Sequence, residues 1–283
     1  MRKKQVISNA VLYLFLIAVL IGTMFPLLYT VLASFKSNAE ILTNPGSMLP
    51  KNPTVNNYVQ AWTSDSFHVP TLLRNSVIYT LVNMFTTLLI SSMAGYVFAR
   101  GHFKFKKLIF YCFTALMFIK TGGITIYATF KVLSAVHLDR SLFALMVVHL
   151  FSIPIVNIYL IKGNVETIPT AIDEAAKIDG CSFVGVFFKI ILPMLKPILA
   201  TVAILAFNSS WNDYLMPNIF TLTAPGQRTL IVGLMALKSS GESAASWNLM
   251  LAGASIAMLP VLVAFAFCNK YFVKGIAAGA VKG

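Results

Sequence analysis

Six long apolar runs divide this 283-residue chain, and no other feature limits its fold as sharply. A run of about 20 apolar residues is long enough to cross a bilayer as a helix. Inside lipid no water reaches the backbone, so a spanning segment must close its own hydrogen bonds. The runs cover 11–33, 76–99, 108 to about 133, 142–161, 198 to about 220, and 249–272. The third is interrupted by Lys120-Thr121-Gly122-Gly123, and Pro154 predicts a kink in the fourth. Only 11% of residues are charged, against about 25% in an average soluble domain. The expected fold is therefore all-α, a polytopic membrane protein with six transmembrane helices.

Charge decides which way the spans run. Lys and Arg number 22 against 9 Asp and Glu, a formal net charge of +13. In a soluble chain that balance points to nucleic acid; here the basic residues track the ends of spans, so nucleic acid is excluded as a partner. With the N-terminus inside, the inner side holds Arg2, Lys3, Lys4, Arg100, Lys104, Lys106, Lys107, Lys162, Lys177, Lys189, Lys196, Lys270, Lys274 and Lys282. The outer side holds Lys36, Lys51, Arg74, Lys131, Arg140, Arg228 and Lys238, about half as many. Both termini are thus expected in the cytoplasm, with the chain in the cell (inner or plasma) membrane and in contact with its lipid. Val31-Leu32-Ala33 is a passable signal-peptide cleavage site, but run 11–33 exceeds the apolar core of about 7–15 residues in a cleaved signal and reads as a retained span. Residues 35–74 and 221–247 form external stretches.

One polar stretch, 162–197, is too charged to lie in lipid and falls on the cytoplasmic side. Thr170 and Asp173 make a Ser/Thr-x-x-Asp/Glu helix start just after Pro169. Ile172, Ala175, Ala176 and Ile178 recur at helical spacing, among Asp173, Lys177 and Asp179. Gly180 ends that helix, and Ser182 caps a second one that must stop near Pro193. By periodicity alone, the first helix either seats in a partner protein or lies on lipid headgroups.

The order Glu174-Ala175-Ala176, Asp179-Gly180, Ile191-Leu192-Pro193 resembles the EAA loop of binding-protein-dependent ABC importer permeases. Ser210-Trp211-Asn212-Asp213 and the closing YFVKGIAAGAVKG resemble the carbohydrate-uptake branch, typified by the maltose transporter. The resemblance runs from the first span to the last residue. It implies an N-terminal tail and first helix over 1–34, an external loop over 35–74, a type I ABC importer permease core over 75–272 with its coupling loop at 162–197, and a cytoplasmic tail over 273–283. It also implies the partners: a homologous second permease, two ATP-binding-cassette ATPase subunits and an extracytoplasmic solute-binding protein. Asp173, Glu174, Ala175, Ala176, Ile178, Asp179 and Gly180 would form the coupling helix in the ATPase cleft. Lys274, Gly275, Lys282 and Gly283 would give a second, C-terminal contact from a small, flexible tail. Many relatives carry a proline in the third span where this chain has Lys120 to Gly123.

The residues themselves show no catalytic set. There is no G-x-x-x-x-G-K-S/T, H-E-x-x-H or G-x-S-x-G, so the chain does not cradle nucleotide phosphates and is not expected to be an enzyme. Cys112, Cys181 and Cys268 stand singly, and His68, His102, His137 and His149 offer no ligand spacing, so no metal is expected. The chain is expected to bind no cofactor; by the resemblance, ATP and Mg belong to the partner ATPase.

Polar groups at membrane depth mark a candidate substrate path, because burying them in lipid is costly. Lys120, His149, Asn208, Ser209, Trp211, Asn212 and Asp213 fall near one level on three spans. Amides and a carboxylate there would hydrogen-bond sugar hydroxyls, with Trp211 stacking on a pyranose ring. Equally, His149 and Asn208 can join helices, Lys120 can snorkel or pair with Asp213, and Trp211 can anchor at the interface. A permease of the same family for a non-sugar solute remains an alternative, as does a secondary carrier, although no inverted repeat is visible.

Overall fold

Every regular element among the described residues is a helix. The computed structural model describes residues 2–65, 67–119, 122–138, 140–239 and 246–280, and side chains outside 2–8, 122–124, 238–239 and 268–280. In chain order the helices are α1 (Arg2–Ala33), α2 (Asn38–Thr43), α3 (Asn56–Thr63), α4 (Val69–Arg100), α5 (Lys106–Leu116), α6 (Gly122–Ala135), α7 (Leu142–Leu150) and α8 (Ile155–Glu166). Then come α9 (Thr170–Ile178), α10 (Phe183–Val186), a π-helical turn (Phe187–Ile191), α11 (Leu192–Met194), α12 (Lys196–Trp211), α13 (Leu215–Phe220), α14 (Leu230–Ser239) and α15 (Trp247–Ala280). Packing divides the chain into two units, Met1–Pro70 with Gly233–Leu259, and Thr71–Val232 with Pro260–Gly283.

Four helical stretches are long and apolar enough to cross a membrane: Asn9–Ala33, Val69–Arg100, Leu142–Glu166 and Trp247–Phe267. A fifth crossing is available if Phe183–Met194 and Lys196–Trp211, bent by 80° to one another, act as one. The third and fifth expected spans are each divided. The third becomes α5 and α6, because Met117, Phe118 and Ile119 turn back onto Thr114, Ala115 and Leu116 in tight i→i−3 bonds ahead of the two glycines. Lys120 and Thr121, at the interruption itself, lie outside the described residues. The fifth run stops as a helix at Trp211, nine residues early. There Asn212 Nδ2 turns back to Asn208 O and Oδ1 at 2.9 Å, and Asp213 Oδ1 accepts from Met216 N at 3.4 Å to open α13. Short polar side chains that bond the local backbone compete with helix continuation.

The first unit shows why the segment that follows α1 is ordered. Asn57, 3% exposed, donates through Nδ2 to Ser34 O at 2.7 Å and Lys36 O at 2.8 Å, and accepts from Asn248 Nδ2 at 2.9 Å. Tyr58 OH lies 2.6 Å from Ser34 Oγ and 2.8 Å from Ser255 Oγ. Lys36 is fully buried, yet its Nζ donates to Ser47 O and to Ser47 Oγ, and sits 5.4 Å from the Tyr29 ring centre. A buried ammonium is tolerable only with such partners. By contrast α1 leaves Val11 to Leu28 apolar and bare, a surface suited to lipid.

In the second unit α4 is the organiser. Its first half carries a buried polar stripe, Asn75, Ser76, Tyr79, Thr80 and Asn83. Asn75 Nδ2 donates to Gly226 O (2.9 Å) and Arg228 O (3.0 Å), and Ser76 Oγ accepts from Leu230 N (2.7 Å). Its second half closes on α8 through Gly95, where a Cβ would lie 2.7 Å from Ile161 Cγ2. Around that contact Tyr96, Val165, Ile168, Ala176, Phe187, Ile191 and Leu195 form one apolar core.

Candidate functional site

The local rules that predict α9 hold at one end and fail at the other. Helix α9 starts at Thr170 as expected, but Pro169 is the residue before it and no side chain caps it. Asp173 does not reach back to the helix start. Instead its Oδ2 accepts from Arg100 Nε at 2.8 Å, and a second Arg100 nitrogen donates to Ile168 O. A carboxylate gains more from an ionised guanidinium than from a neutral backbone N–H. At the far end Gly180 has φ +82°, Cys181 N donates to Ala176 O at 2.9 Å, and Gly180 N to Lys177 O at 3.0 Å. These are the paired bonds of a Schellman stop, which favours glycine because a Cβ resists positive φ. Ser182 then caps α10, its Oγ accepting from Gly185 N at 3.1 Å.

The helix that follows crosses Pro193 in register. A π turn over Phe187–Ile191, closed by Leu192 N to Phe187 O, precedes the proline, and the chain bends only at Leu195. Wide turns of this kind absorb a register mismatch inside a helix. The result is that α9, α10 and α12 share a single core with the end of α4. Tyr96 stands between them, its ring 4.6 Å from Phe183 and 5.2 Å from Phe187.

This packing sorts the expected coupling residues into two faces. Asp173 and Ala176 are buried, at 6% and 4% exposure, and face their own chain. Glu174, Ala175, Lys177, Ile178, Asp179 and Gly180 are exposed, Ile178 at 87%. Of the two alanines, Ala176 is covered by its own chain and Ala175 is exposed. Between the faces lies a cleft of about 120 Å³, lined by Tyr96, Arg100, His102, Asp173, Glu174 and Lys177 among others. At the C-terminus α15 continues as a helix through Lys274 and Gly275 to Ala280, rather than as a flexible tail. The side chains of Lys274 and Gly275's neighbours, and residues 281–283 with Lys282 and Gly283, lie outside the described residues.

The residues expected along a substrate path separate likewise. Tyr79, which the sequence does not single out, draws His149 and Asp213 together. Its hydroxyl donates to Asp213 Oδ2 at 2.8 Å and lies 3.4 Å from His149 Nε2, with the two rings edge-on at 5.9 Å. Because the tyrosine proton goes to the carboxylate, His149 must use a protonated Nε2 in that contact. Trp211 is 3% exposed and stacks on Phe207 at 5.7 Å, so its face is not free for a ring. Asn208, Ser209 and Asn212 are exposed. Lys120 lies outside the described residues. Among the described residues no group of three or more His, Cys, Asp or Glu is placed to hold a metal.

Residues 73–278 match the family model of the binding-protein-dependent transport system inner membrane component. The chain belongs to that family. It is a multi-pass inner-membrane permease, a transport subunit and not an enzyme. It is 34% identical over 284 aligned residues to the "Probable ABC transporter permease protein YurM" of Bacillus subtilis strain 168, covering 100% of this chain and 91% of that one. It is 32% identical to the galactooligosaccharides transport system permease protein GanQ of the same organism, covering 100% and 99%. Its fold matches a chain in the crystal structure of a bacterial ABC transporter involved in the import of the acidic polysaccharide alginate. That match has a TM-score of 0.81 at 21% identity, over 94% of this chain and 96% of that one. The permease fold is thus all-helical and of the ABC importer type.

Proposed function

We propose that this permease forms half of the translocation path of an ABC importer for a sugar or oligosaccharide, delivered by an extracytoplasmic binding protein. The observation that carries the coupling part is the outward face of α9. Glu174, Ala175, Ile178 and Asp179 present charge and one large apolar side chain on a helix whose other face is fixed to its own chain. Burying Ile178 in a partner would contribute about 1.5–3 kcal/mol. That face would seat on an ATPase subunit, which would hold the ATP and Mg. The sugar class is supported by relatives named for galactooligosaccharides, arabinooligosaccharides and maltodextrin.

In this reading the chain crosses six times, with α5 and α6 together as the third crossing and the bent α12 region as the fifth. Both termini and α9 lie in the cytoplasm, as the distribution of Lys and Arg favours. Residues 1–34, 35–74, 75–272 and 273–283 keep the roles of first helix, external loop, core and cytoplasmic end. Lys274, Gly275, Lys282 and Gly283 give a second ATPase contact. Asn208, Ser209 and Asn212 line the path, while His149, Trp211 and Asp213 support it from within.

The test is uptake of radiolabelled oligosaccharide by vesicles holding this chain, its second permease, the binding protein and the ATPase. Glu174→Lys should insert normally and abolish ATP-driven uptake. Uptake that persists without any ATPase would overturn the importer reading in favour of a carrier. Uptake of a non-sugar solute alone would keep the importer and reject the sugar.

A further inference from the structure

We infer that Arg100 is a positioning residue for coupling, a fork that transmits the tilt of α9 to α4. The inference rests on the proposed docking of an ATPase on α9, and adds the route by which that motion enters the membrane. Arg100 is the last residue of α4, and its two contacts fall at different points of the cytoplasmic segment. One nitrogen holds Ile168 O, in the strand of chain entering α9, and Nε holds Asp173 Oδ2 inside the helix. A single contact would leave a short helix free to swivel. Two contacts five residues apart fix its direction relative to α4.

The fork is rigid because it is buried. The Arg100 and Asp173 side chains are only 12% and 9% exposed, and breaking one partner of a buried pair strands the other charge. An arginine beside a helix N-terminus opposes the helix dipole. The Asp173 carboxylate, in the first turn, offsets that opposition and binds the guanidinium directly. Asp173 Oδ1 is buried and makes no hydrogen bond, so the carboxylate is held through Oδ2 alone and depends on Arg100 for its charge partner. Alongside the fork, Gly95 lets α4 touch Ile161 on α8 at van der Waals limits, and Tyr96 wedges against Phe183 and Phe187. Motion of α9 therefore meets α4 through a stiff polar link on one side and a close-packed contact on the other. The apolar contacts, with Tyr96 OH donating to Phe183 O at 3.4 Å beyond α9, hold position, and the fork carries direction to α9 itself.

The experiment uses the complex purified with its second permease and ATPase and placed in lipid vesicles. Two quantities are read: retention of the ATPase, and the ATP-dependent change in labelling of Asn208→Cys by a membrane-impermeant maleimide, with the native cysteines replaced. Arg100→Ala should keep the ATPase and its hydrolysis while the labelling change falls about tenfold. Asp173→Ala should behave alike, and the double substitution should be no worse than either single, as for two residues acting as one unit. Arg100→Lys, which keeps the charge but not the fork, should fall between wild type and Arg100→Ala. Asp173→Asn, isosteric and still an acceptor, should retain most of the change and guards against misfolding of the alanine variants. A full labelling change in Arg100→Ala, or additive losses in the double variant, would overturn the inference. So would loss of ATPase retention in step with the labelling change, which would make Arg100 part of the docking face. A wild-type complex that retains no ATPase would instead reject the proposed function on which the inference rests.

Discussion

Helix α9 and the Tyr79 cluster both gather acidic and polar side chains in this apolar chain, and they treat them in opposite ways. On α9 one carboxylate, Asp173, turns inward to Arg100, while Glu174 and Asp179 stay outside. In the Tyr79 cluster the polar groups turn on one another, Tyr79 joining Asp213 to His149. The first arrangement leaves a surface unmatched within the chain. The second satisfies itself and fastens α4, α7 and the α12–α13 junction. A polar residue at membrane depth is therefore not a ligand contact merely by its depth; what counts is whether its neighbours have already met its needs.

If that contrast is right, substitutions on α9 should affect assembly, and those in the cluster should affect stability. The largest effect is expected from Gly180→Pro. Proline fixes φ near −65° and lacks an N–H, so it cannot take the φ of +82° or the bond to Lys177 O; a loss of about 3 kcal/mol or more in the turn is expected. ATPase retention should vanish while membrane insertion persists, as read by copurification and trypsin mapping. Next comes Ile178→Ser. At 87% exposure it should leave the melting temperature of the isolated permease unchanged, yet weaken ATPase binding by about 1.5–3 kcal/mol. Tyr79→Phe should show the converse. Removing the hydroxyl leaves the part-buried Asp213 carboxylate without that donor and His149 Nε2–H without its acceptor, so stability in detergent should fall by about 1–3 kcal/mol with ATPase retention intact. The smallest effect is expected from Asn208→Ala. Its side chain is exposed and accepts from Asn212 Nδ2, so stability should shift by less than about 0.5 kcal/mol, and any change should appear in the apparent KM for solute.

How much of this was readable from the sequence depends on how local each cause is. Gly180 as a helix stop, Ser182 as a cap and Thr170 as the first residue of α9 are set by neighbours within a few positions, and they stand as expected. An interruption of the third run at Lys120-Thr121-Gly122-Gly123 was legible, although both glycines lie inside α6 and the turn falls at 117–119. The early end of the fifth run was not, because hydropathy counts Asn208 and Asn212 as minor interruptions, whereas their side chains bond each other and the backbone of α12. The partners of Asp173 were out of reach for a different reason. Arg100 is 73 residues away, and as the last residue of a span it reads simply as a basic end. Tyr79 is 134 residues from Asp213 and looks like one more aromatic residue in an apolar run. Periodicity placed Ala175 and Ala176 together, but only the core formed by Ile168, Val186 and Phe187 decides which of the two is covered.

That last pair offers the most direct measurement. In a background with Cys112, Cys181 and Cys268 replaced, single cysteines at Ala175, Ala176 and Ile178 would each be tested for crosslinking to the ATPase with a short bifunctional maleimide. The proposed coupling surface predicts crosslinks from positions 175 and 178 and none from the buried position 176. Equal crosslinking from all three, or from none while the complex remains assembled and active, would contradict it.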